Sequence, residues 1–348
     1  MVPALAVADA LRDRGAEVSF IGTRDHLEAT LVPQAGFEID FLAVAGLDRR
    51  NPVRALGAVG RAAAAVPAAK RILRERGADA LMGGGGYVAG PAGLAAVRSG
   101  LPLVLTEADS HLGLANRMLA RRARRVCLAF PIEGRDGDRY LVTGRPVPRA
   151  ILDADRDAAR TRFGIEPGTP CLLVFGGSLG ARSINRAALE AFAGSDPVEP
   201  QLHVLHLSGS RDYPEASERL DAAGTPARYT LIEYEPNLGD ALAASDLVLA
   251  RSGGSVFELA AAGRPAILVP YPHATADHQR ENADWMADAG AAVVLDDSEL
   301  SPERIRELTA ELIGDPDRLA EMAGAARSLA RPDAADRIAT ELLNVVSS

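Results

Sequence analysis

Three short apolar runs late in the chain constrain the fold more than any other feature of the sequence. They span residues 247–250, 266–269 and 292–295, and their length and flanking turn residues are typical of buried parallel strands. The stretches between them, 255–262 and 277–288, are each long enough for a helix. The segment therefore predicts a strand–helix–strand–helix–strand unit within a parallel sheet.

Two loops of this unit fall at the carboxyl ends of its strands, which is where parallel sheets bind ligands. The first loop is Arg251-Ser252-Gly253-Gly254, whose small residues allow backbone N–H groups to approach an anion. The second loop supplies side chains suited to a hydroxyl-rich ligand: His273, Asp277, His278, Gln279 and Asn282. Together the loops predict a site for a phosphate with a sugar attached. Ser255 and Glu258 also fit a helix capping box, which is a structural alternative for Glu258.

Two further glycine-rich turns follow predicted strands and precede predicted helices, at residues 83–91 and 176–182. Each is compatible with a phosphate cradle or with a simple tight turn. The second turn matches neither the P-loop pattern nor the full dinucleotide spacing. The two Asp-x-Asp pairs, at 153–155 and 315–317, lie in helical or turn contexts, so we predict no metal site.

The 348 residues suffice for two α/β domains, and the turn-rich segment 145–148 separates two series of strands and helices. We predict one domain over 1–146, a second over 147–332 and a last helix over 333–348 that returns to the first domain. Cys127 and Cys171 each lie inside an apolar run and are expected to be buried free thiols. No run of 18 apolar residues occurs, and we expect the chain to remain in the cytosol.

Charge is distributed unevenly between the two domains. Residues 1–150 contain 21 Arg and Lys against 15 Asp and Glu, whereas the remainder contains 17 against 32. One basic and apolar segment spans residues 49–76, and a second basic cluster spans 117–125. A basic, apolar helix is a candidate for lying on an anionic membrane, although a solvated helix packed on its own domain fits equally well. Nucleic acid is not an expected partner, because aromatic residues are not interleaved with the basic ones.

The ordered motifs resemble the MurG family of glycosyltransferases. They are VPALAVADAL, IGT, FEIDF, GGGGYVAGP, GGSLGAR followed by Asn185, RSGG with FELAAAGRPAILVPYPH, and HQRENA. The resemblance spans nearly the whole chain. It implies a GT-B fold, in which two Rossmann-like parallel-sheet domains face a cleft. It also implies metal-independent, inverting transfer of N-acetylglucosamine from UDP-GlcNAc to undecaprenyl-linked lipid I in peptidoglycan synthesis. No cofactor is expected, and the protein is expected on the cytoplasmic face of the membrane as a peripheral protein.

The resemblance also implies roles for individual residues. Ser178 and the following helix would hold the UDP pyrophosphate, Glu258 would accept the ribose hydroxyls, and Gln279 would contact the sugar with Asn282 behind it. The remaining donor-side positions are Asn185, Glu235, Arg251, Ser252, Gly253 and Gly254, with Glu235 meeting the uracil through its backbone. The acceptor-side positions are Gly84, Gly85, Gly86, Tyr87, Asp109 and Arg149.

The sequence departs from the family pattern on the acceptor side. A strand and a Gly-Gly-Thr-Gly-Gly-His loop precede the residues that match Val2 in the family, and this sequence does not show them. Glu107 and His111 are therefore the candidate catalytic residues. We expect an upstream segment with the missing pattern, without which the chain would bind donor but transfer poorly. The alternatives are a non-catalytic or regulatory UDP-sugar-binding relative, a glycolipid transferase or a UDP-GlcNAc 2-epimerase.

Overall fold

The structure is a computed structural model that describes residues 1–44, 52–177, 179–194, 201–274 and 277–347, with the backbone alone for 52–59. The chain divides into two compact units. Unit 1 comprises Met1–Pro148 together with Arg331–Ser348, and unit 2 comprises Arg149–Ala330. The predicted domain boundary, after residue 146, lies beside this division.

Unit 1 contains two parallel sheets. One pairs β1 (Ser19–Gly22) with β2 (Glu38–Phe41), and the other has the order β3-β4-β5-β6. These four strands are β3 (Leu81–Gly83), β4 (Leu103–Glu107), β5 (Arg125–Leu128) and β6 (Tyr140–Val142). The helices of the unit are α1 (Val2–Arg12), α2 (Glu28–Gln34), α3 (Pro52–Glu75), α4 (Gly86–Arg98), α5 (Leu114–Leu119) and α15 (Ala334–Val346).

Unit 2 contains one parallel sheet of six strands in the order β12-β11-β10-β7-β8-β9. The strands are β7 (Cys171–Phe175), β8 (His203–Leu207), β9 (Tyr229–Ile232), β10 (Leu247–Ala250), β11 (Ala266–Leu268) and β12 (Ala292–Val294). The helices are α6 (Arg149–Leu152), α7 (Arg156–Arg162), α8 (Arg182–Phe192), α9 (Tyr213–Ala222), α10 (Leu238–Ala244), α11 (Val256–Ala262), α12 (His278–Asp288), α13 (Pro302–Ile313) and α14 (Pro316–Leu329).

The strand order of unit 2 reverses between β7 and β10. From β7 the chain moves outward through β8 to β9, and it then returns to pair β10 with the other side of β7. Loops that leave β7 and β10 therefore turn to opposite faces of the sheet and leave a crevice between them at the carboxyl ends. This reversal positions the candidate donor site.

Burial explains why these strands are apolar along their whole length. Every residue of β7, β8 and β10 is buried, as expected for strands that are covered by helices on both faces. The three strands predicted at 247–250, 266–269 and 292–295 are present as β10, β11 and β12, and the last two end one residue earlier than predicted.

The two Asp-x-Asp pairs begin helices. The Asp155 carboxylate accepts a hydrogen bond from the Ala158 N–H at 2.7 Å, and Asp315 accepts one from the Arg318 N–H at 3.0 Å. Both are therefore N-caps, which satisfy backbone donors at the start of α7 and α14.

Helix α15 returns to unit 1 and packs on its sheet beside α1. Ile338 and Leu342 join Val7 of α1 against Val104 and Cys127 of the sheet. Two ion pairs flank this apolar contact, Arg14–Asp336 and Arg125–Glu341, each at 2.8 Å. Both cysteines are buried free thiols, as predicted. Burial raises the pKa of Cys127 to about 12, so this thiol stays protonated.

We expect Ile338→Ala to destabilise the protein by about 2–4 kcal/mol, because Ile338 is only 1% exposed and its loss leaves a cavity under α15. Val346→Ala is the matched control, since Val346 belongs to the same helix but is 46% exposed. Denaturant unfolding of both variants measures the difference. Equal stabilities would show that α15 contributes little to the packing of unit 1.

Candidate functional site

The glycine-rich loop after β7 has a backbone that side chains would disrupt. A Cβ at Gly176 would lie 2.4 Å from the Ala181 nitrogen, and Gly180 has a φ of +84°. The loop leads into α8, whose N-cap residue, Ala181, provides no side-chain cap. The first N–H groups of α8 therefore need another partner, and an anion is a suitable one. Ser178, the predicted pyrophosphate contact, lies outside the described residues.

Arg251, which follows β10, cross-links the loops around the site. Its guanidinium donates to the Val269 and Pro270 carbonyl oxygens at 3.1 and 3.2 Å. It also donates to the Ser183 hydroxyl at 2.7 Å and pairs with Asp297 at 2.6 Å. Because the side chain is only 11% exposed, these contacts indicate a supporting role rather than direct contact with a ligand.

Ser183 and Asp297 are contributors that sequence analysis missed. Ser183 lies in α8 and Asp297 follows β12, and the Ser183 hydroxyl donates to Asp297 at 2.9 Å. Each is an ordinary polar residue in the sequence. Only the order of the strands brings them to Arg251, so no local motif could have identified them.

Gln279 is held so that its amide nitrogen remains available. Its side-chain Oε1 accepts a hydrogen bond from the Tyr271 N–H at 3.0 Å, and its backbone carbonyl accepts one from the Ser252 hydroxyl at 2.7 Å. The Nε2 atom therefore points away from Tyr271 and lies 4.0 Å from where a Cβ of Gly253 would be. This orientation presents a hydrogen-bond donor over the small-residue loop.

Asn282 contacts the loop after β10. It is buried, and its Nδ2 donates to the carbonyl oxygens of Ser252 and Gly253 at 3.0 and 3.4 Å. These bonds tie the loop after β10 to the first turns of α12. Asn282 thus shapes residues 252–254 from the protein side.

Glu258 lies in the first turn of α11, directly after Gly254 and Ser255, and is partly buried. The Ser255 side chain makes no capping hydrogen bond, so the capping box that the sequence allows is not formed by Ser255.

Glu235 follows β9, and its buried carboxylate accepts from Arg162 at 2.6 Å and from the Asn237 N–H at 2.8 Å. Its side chain is thus used internally, which leaves its backbone as the part able to meet a ligand.

The glycines predicted to face the acceptor, Gly84 to Gly86, connect β3 to the start of α4. Gly85 and Gly86 have φ values of +81° and +74°, which side chains rarely adopt. Tyr87 is 47% exposed, and its ring lies 6.0 Å from the ring of His26. His26 was not identified from the sequence, because an isolated histidine in a loop carries no signal of its neighbours. Arg149, another predicted acceptor-side residue, opens α6 and belongs to unit 2.

Glu107 organises the loop that follows β4. Its Oε1 accepts from the N–H groups of Ala108 and Asp109 at 3.0 and 3.3 Å. Its Oε2 accepts from the Gly113 N–H at 2.8 Å and from the Asn116 amide at 2.9 Å. Four donors occupy both oxygens of this buried carboxylate, which favours a structural role over that of a base. Asp109 is partly buried and His111 is exposed in the same loop.

Comparison with known proteins agrees with this arrangement. Residues 1–128 match the glycosyltransferase family 28 N-terminal domain, and residues 171–338 match its C-terminal domain. The UDP-N-acetylglucosamine--N-acetylmuramyl-(pentapeptide) pyrophosphoryl-undecaprenol N-acetylglucosamine transferase of Halorhodospira halophila is 42% identical over 97% of this chain and 93% of its own length. The crystal structure of Acinetobacter baumannii MurG is 32% identical, with a TM-score of 0.76 over 98% of this chain and 95% of that one.

The chain belongs to the MurG family of glycosyltransferases. The predicted family and the predicted GT-B fold are thereby confirmed. A putative UDP-N-acetylglucosamine 2-epimerase from Listeria monocytogenes has a similar fold, with a TM-score of 0.68, but is only 15% identical. That likeness extends to the fold alone.

Glu107→Gln tests the role of Glu107 in the loop after β4. An amide nitrogen in place of one oxygen would face N–H donors, so we expect a loss of about 1.5–3 kcal/mol of folding stability. His111→Ala, at an exposed position of the same loop, should leave stability nearly unchanged. Chemical denaturation measures both variants. A fully stable Glu107→Gln variant that is inactive would instead support Glu107 as the base.

Proposed function

We propose that this protein transfers N-acetylglucosamine from UDP-GlcNAc to an undecaprenyl-pyrophosphoryl N-acetylmuramyl-pentapeptide. The observation that carries the proposal is the convergence of three loops at the strand-order reversal of unit 2. The glycine loop after β7 offers backbone N–H groups, the loop after β10 leads to Glu258, and the loop after β11 presents the Gln279 amide. The backbone N–H groups suit a diphosphate, the Glu258 carboxylate suits a vicinal diol, and the Gln279 amide suits a sugar.

The chemistry of the proposed donor site is electrostatic. N–H groups of residues 176–181 and the positive end of α8 would stabilise the negative charge that grows on UDP as it leaves. The Glu258 carboxylate would accept hydrogen bonds from both ribose hydroxyls. The Gln279 Nε2 donor would bind a hydroxyl oxygen of the sugar and fix its orientation. Asn185, Arg251 and Asn282 would hold these groups in place from the protein side.

Transfer would proceed as a single displacement with inversion. The acceptor hydroxyl oxygen would attack the anomeric carbon of GlcNAc, the bond from that carbon to the UDP oxygen would break, and a base would take the hydroxyl proton. Of the two predicted catalytic residues, His111 is exposed and therefore accessible to an acceptor hydroxyl, whereas Glu107 is occupied by four donors. We therefore propose His111 as the proton acceptor and Glu107 as the residue that shapes its loop.

The acceptor is a lipid, and we propose that unit 1 contacts an anionic membrane surface on its cytoplasmic side. None of the helices in the described part of the chain is long and apolar enough to cross a membrane. On α5, Leu114 and Met118 are 41% and 66% exposed beside three exposed arginines, which are Arg117, Arg121 and Arg122. Exposed apolar side chains among basic ones suit the interface of an anionic bilayer.

The longer basic segment at 49–76 fits this role less well. Ile72 and Leu73 of α3 are buried in the core that α3 forms with α4, so this apolar stretch faces its own domain. Arg76 pairs with Glu38 and Asp40, which neutralises part of the charge. The side chains of 49–59 lie outside the described residues. The other exposed cations described on this segment are Arg61, Lys70, Arg71 and Arg74, of which Arg71 pairs with Glu75 at 3.8 Å.

Glu258→Ala tests the donor site. The variant should lose two charge-assisted hydrogen bonds to UDP, each worth about 1.5–3 kcal/mol. Calorimetric titration with UDP measures the affinity, and Glu321→Ala, at an exposed position of α14, is the control. Equal affinities of wild type and Glu258→Ala would refute the assignment, and loss of folding would favour a purely structural Glu258. UDP binding without transfer to a lipid-linked acceptor would favour the non-catalytic alternative.

Two double charge reversals test the membrane surface. Arg121→Glu with Arg122→Glu should weaken binding to anionic vesicles strongly, because each near-surface arginine contributes about 1 kcal/mol at low salt. Lys70→Glu with Arg74→Glu on α3 should have a smaller effect. Co-sedimentation with anionic and neutral vesicles at low and high salt measures both. The proposal fails if wild type binds the two kinds of vesicle equally, or if the α3 reversal has the larger effect.

A further inference from the structure

His206 lies in β8, next to the central strand β7, and the proposed mechanism does not use it. It is completely buried, with an exposure of 0%. Its ring nevertheless has two polar partners, since Nδ1 lies 2.8 Å from the Tyr229 hydroxyl and Nε2 lies 3.0 Å from the Asn185 side-chain oxygen. A buried polar group with both atoms satisfied fixes the groups that it touches.

The partners determine which ring nitrogen carries the hydrogen. Asn185 uses its Nδ2 to donate to the Ser208 carbonyl at 2.8 Å and to Asp212 at 3.3 Å, so its Oδ1 must accept. His206 Nε2 is therefore the donor, and Nδ1 accepts from Tyr229. Burial lowers the pKa of His206 to about 3, so the ring is neutral near pH 7. The hydrogen bonds run in one direction, from Tyr229 through His206 to Asn185 and the loop after β8.

The far end of this chain of hydrogen bonds meets the glycine loop. A Cβ at Gly180 would lie 2.0 Å from the Ser208 carbonyl oxygen, and one at Gly209 would lie 2.1 Å from the Gly180 nitrogen. Arg211 closes the contact by donating to the Gly180 carbonyl at 3.2 Å and to Asp212 at 2.9 Å. The loop at 208–212 therefore supports the glycine loop from behind, and the Asn185 amide bonds to both ends of this supporting loop.

We propose that His206 is a positioning residue for the glycine loop after β7, acting through the side-chain amide of Asn185. The proposal rests on the proposed function, in which this loop binds the diphosphate of the donor. Without the His206 donor, the Asn185 amide is free to rotate and release the Ser208 carbonyl. The supporting loop would then shift, and with it the N–H groups that face the phosphates. Because these groups hold the phosphates before transfer and stabilise the growing charge during it, their displacement should weaken UDP binding and lower kcat/KM.

Variants of two histidines on the same strand test the proposal. In His206→Gln the amide nitrogen reproduces the Nε2 donor, whereas His206→Leu removes it. His203→Leu is the matched control, since His203 is also buried in β8 but bonds to Thr230 at 3.0 Å, at the opposite end of the strand. We expect His206→Leu to raise the UDP Kd and to lower kcat/KM for UDP-GlcNAc, each by about 10-fold, with His206→Gln and His203→Leu staying within about 3-fold of wild type.

Thermal melting of each variant separates loop positioning from general stability. The proposal is overturned if folded His206→Leu binds UDP as wild type does, or if His203→Leu loses as much affinity as His206→Leu. If His206→Leu does not fold, Tyr229→Phe replaces it, because it removes the hydroxyl that orients the His206 ring; a UDP Kd unchanged from wild type then overturns the proposal. Failure of the wild type to bind UDP at all would instead overturn the proposed function, on which this one depends.

Discussion

The reversal of strand order between β7 and β10 is the constraint on which the donor side of this protein depends. Parallel strands end at the same edge of the sheet, and the reversal separates two neighbouring loops at that edge so that a ligand can enter between them. The order β12-β11-β10-β7-β8-β9 places Gly176, Arg251 and Tyr271 after three adjacent strands. Residues that are far apart in the sequence meet there because backbone hydrogen bonds between the strands bring the strand ends to one edge.

A layer of buried polar groups stands behind the loops that face the ligand. Arg251 joins four segments of unit 2, and Asn185 joins the loop after β8 to His206. Glu107 does the same for a single loop in unit 1. Loops built from glycine and serine have little intrinsic rigidity, so their geometry has to come from such cross-links. Backbone groups therefore form the surface of these loops, and buried polar or charged side chains hold them in position from beneath.

The sequence predicted the fold well, and the reason is physical. Fully buried parallel strands are short and uniformly apolar, so the run at 247–250 was recognisable with both of its ends in place. Gln279 and Asn282 were predicted as site residues from a local motif, and that assignment stays a prediction.

Long-range partners were not predictable in the same way. The pairing of Arg251 with Asp297, the occupation of Glu107 by four donors and the contact of His26 with Tyr87 all depend on which strands become neighbours. The periodicity of apolar residues within one segment does not show which strands become neighbours. The sequence predicted Arg251 at the donor site, but it gave no sign of the internal contacts that this side chain makes.

The return of α15 to unit 1 has a consequence for synthesis on the ribosome. Residues Arg331–Ser348 complete a unit that otherwise consists of Met1–Pro148, while unit 2 is a single continuous segment between them. All residues of unit 2 therefore emerge from the exit tunnel before unit 1 has its final helix. Until then Val7 and Val104 lack the cover of Ile338 and Leu342, and the nascent first unit exposes this apolar surface. Translation of unit 1 thus begins before that of unit 2 and is completed after it.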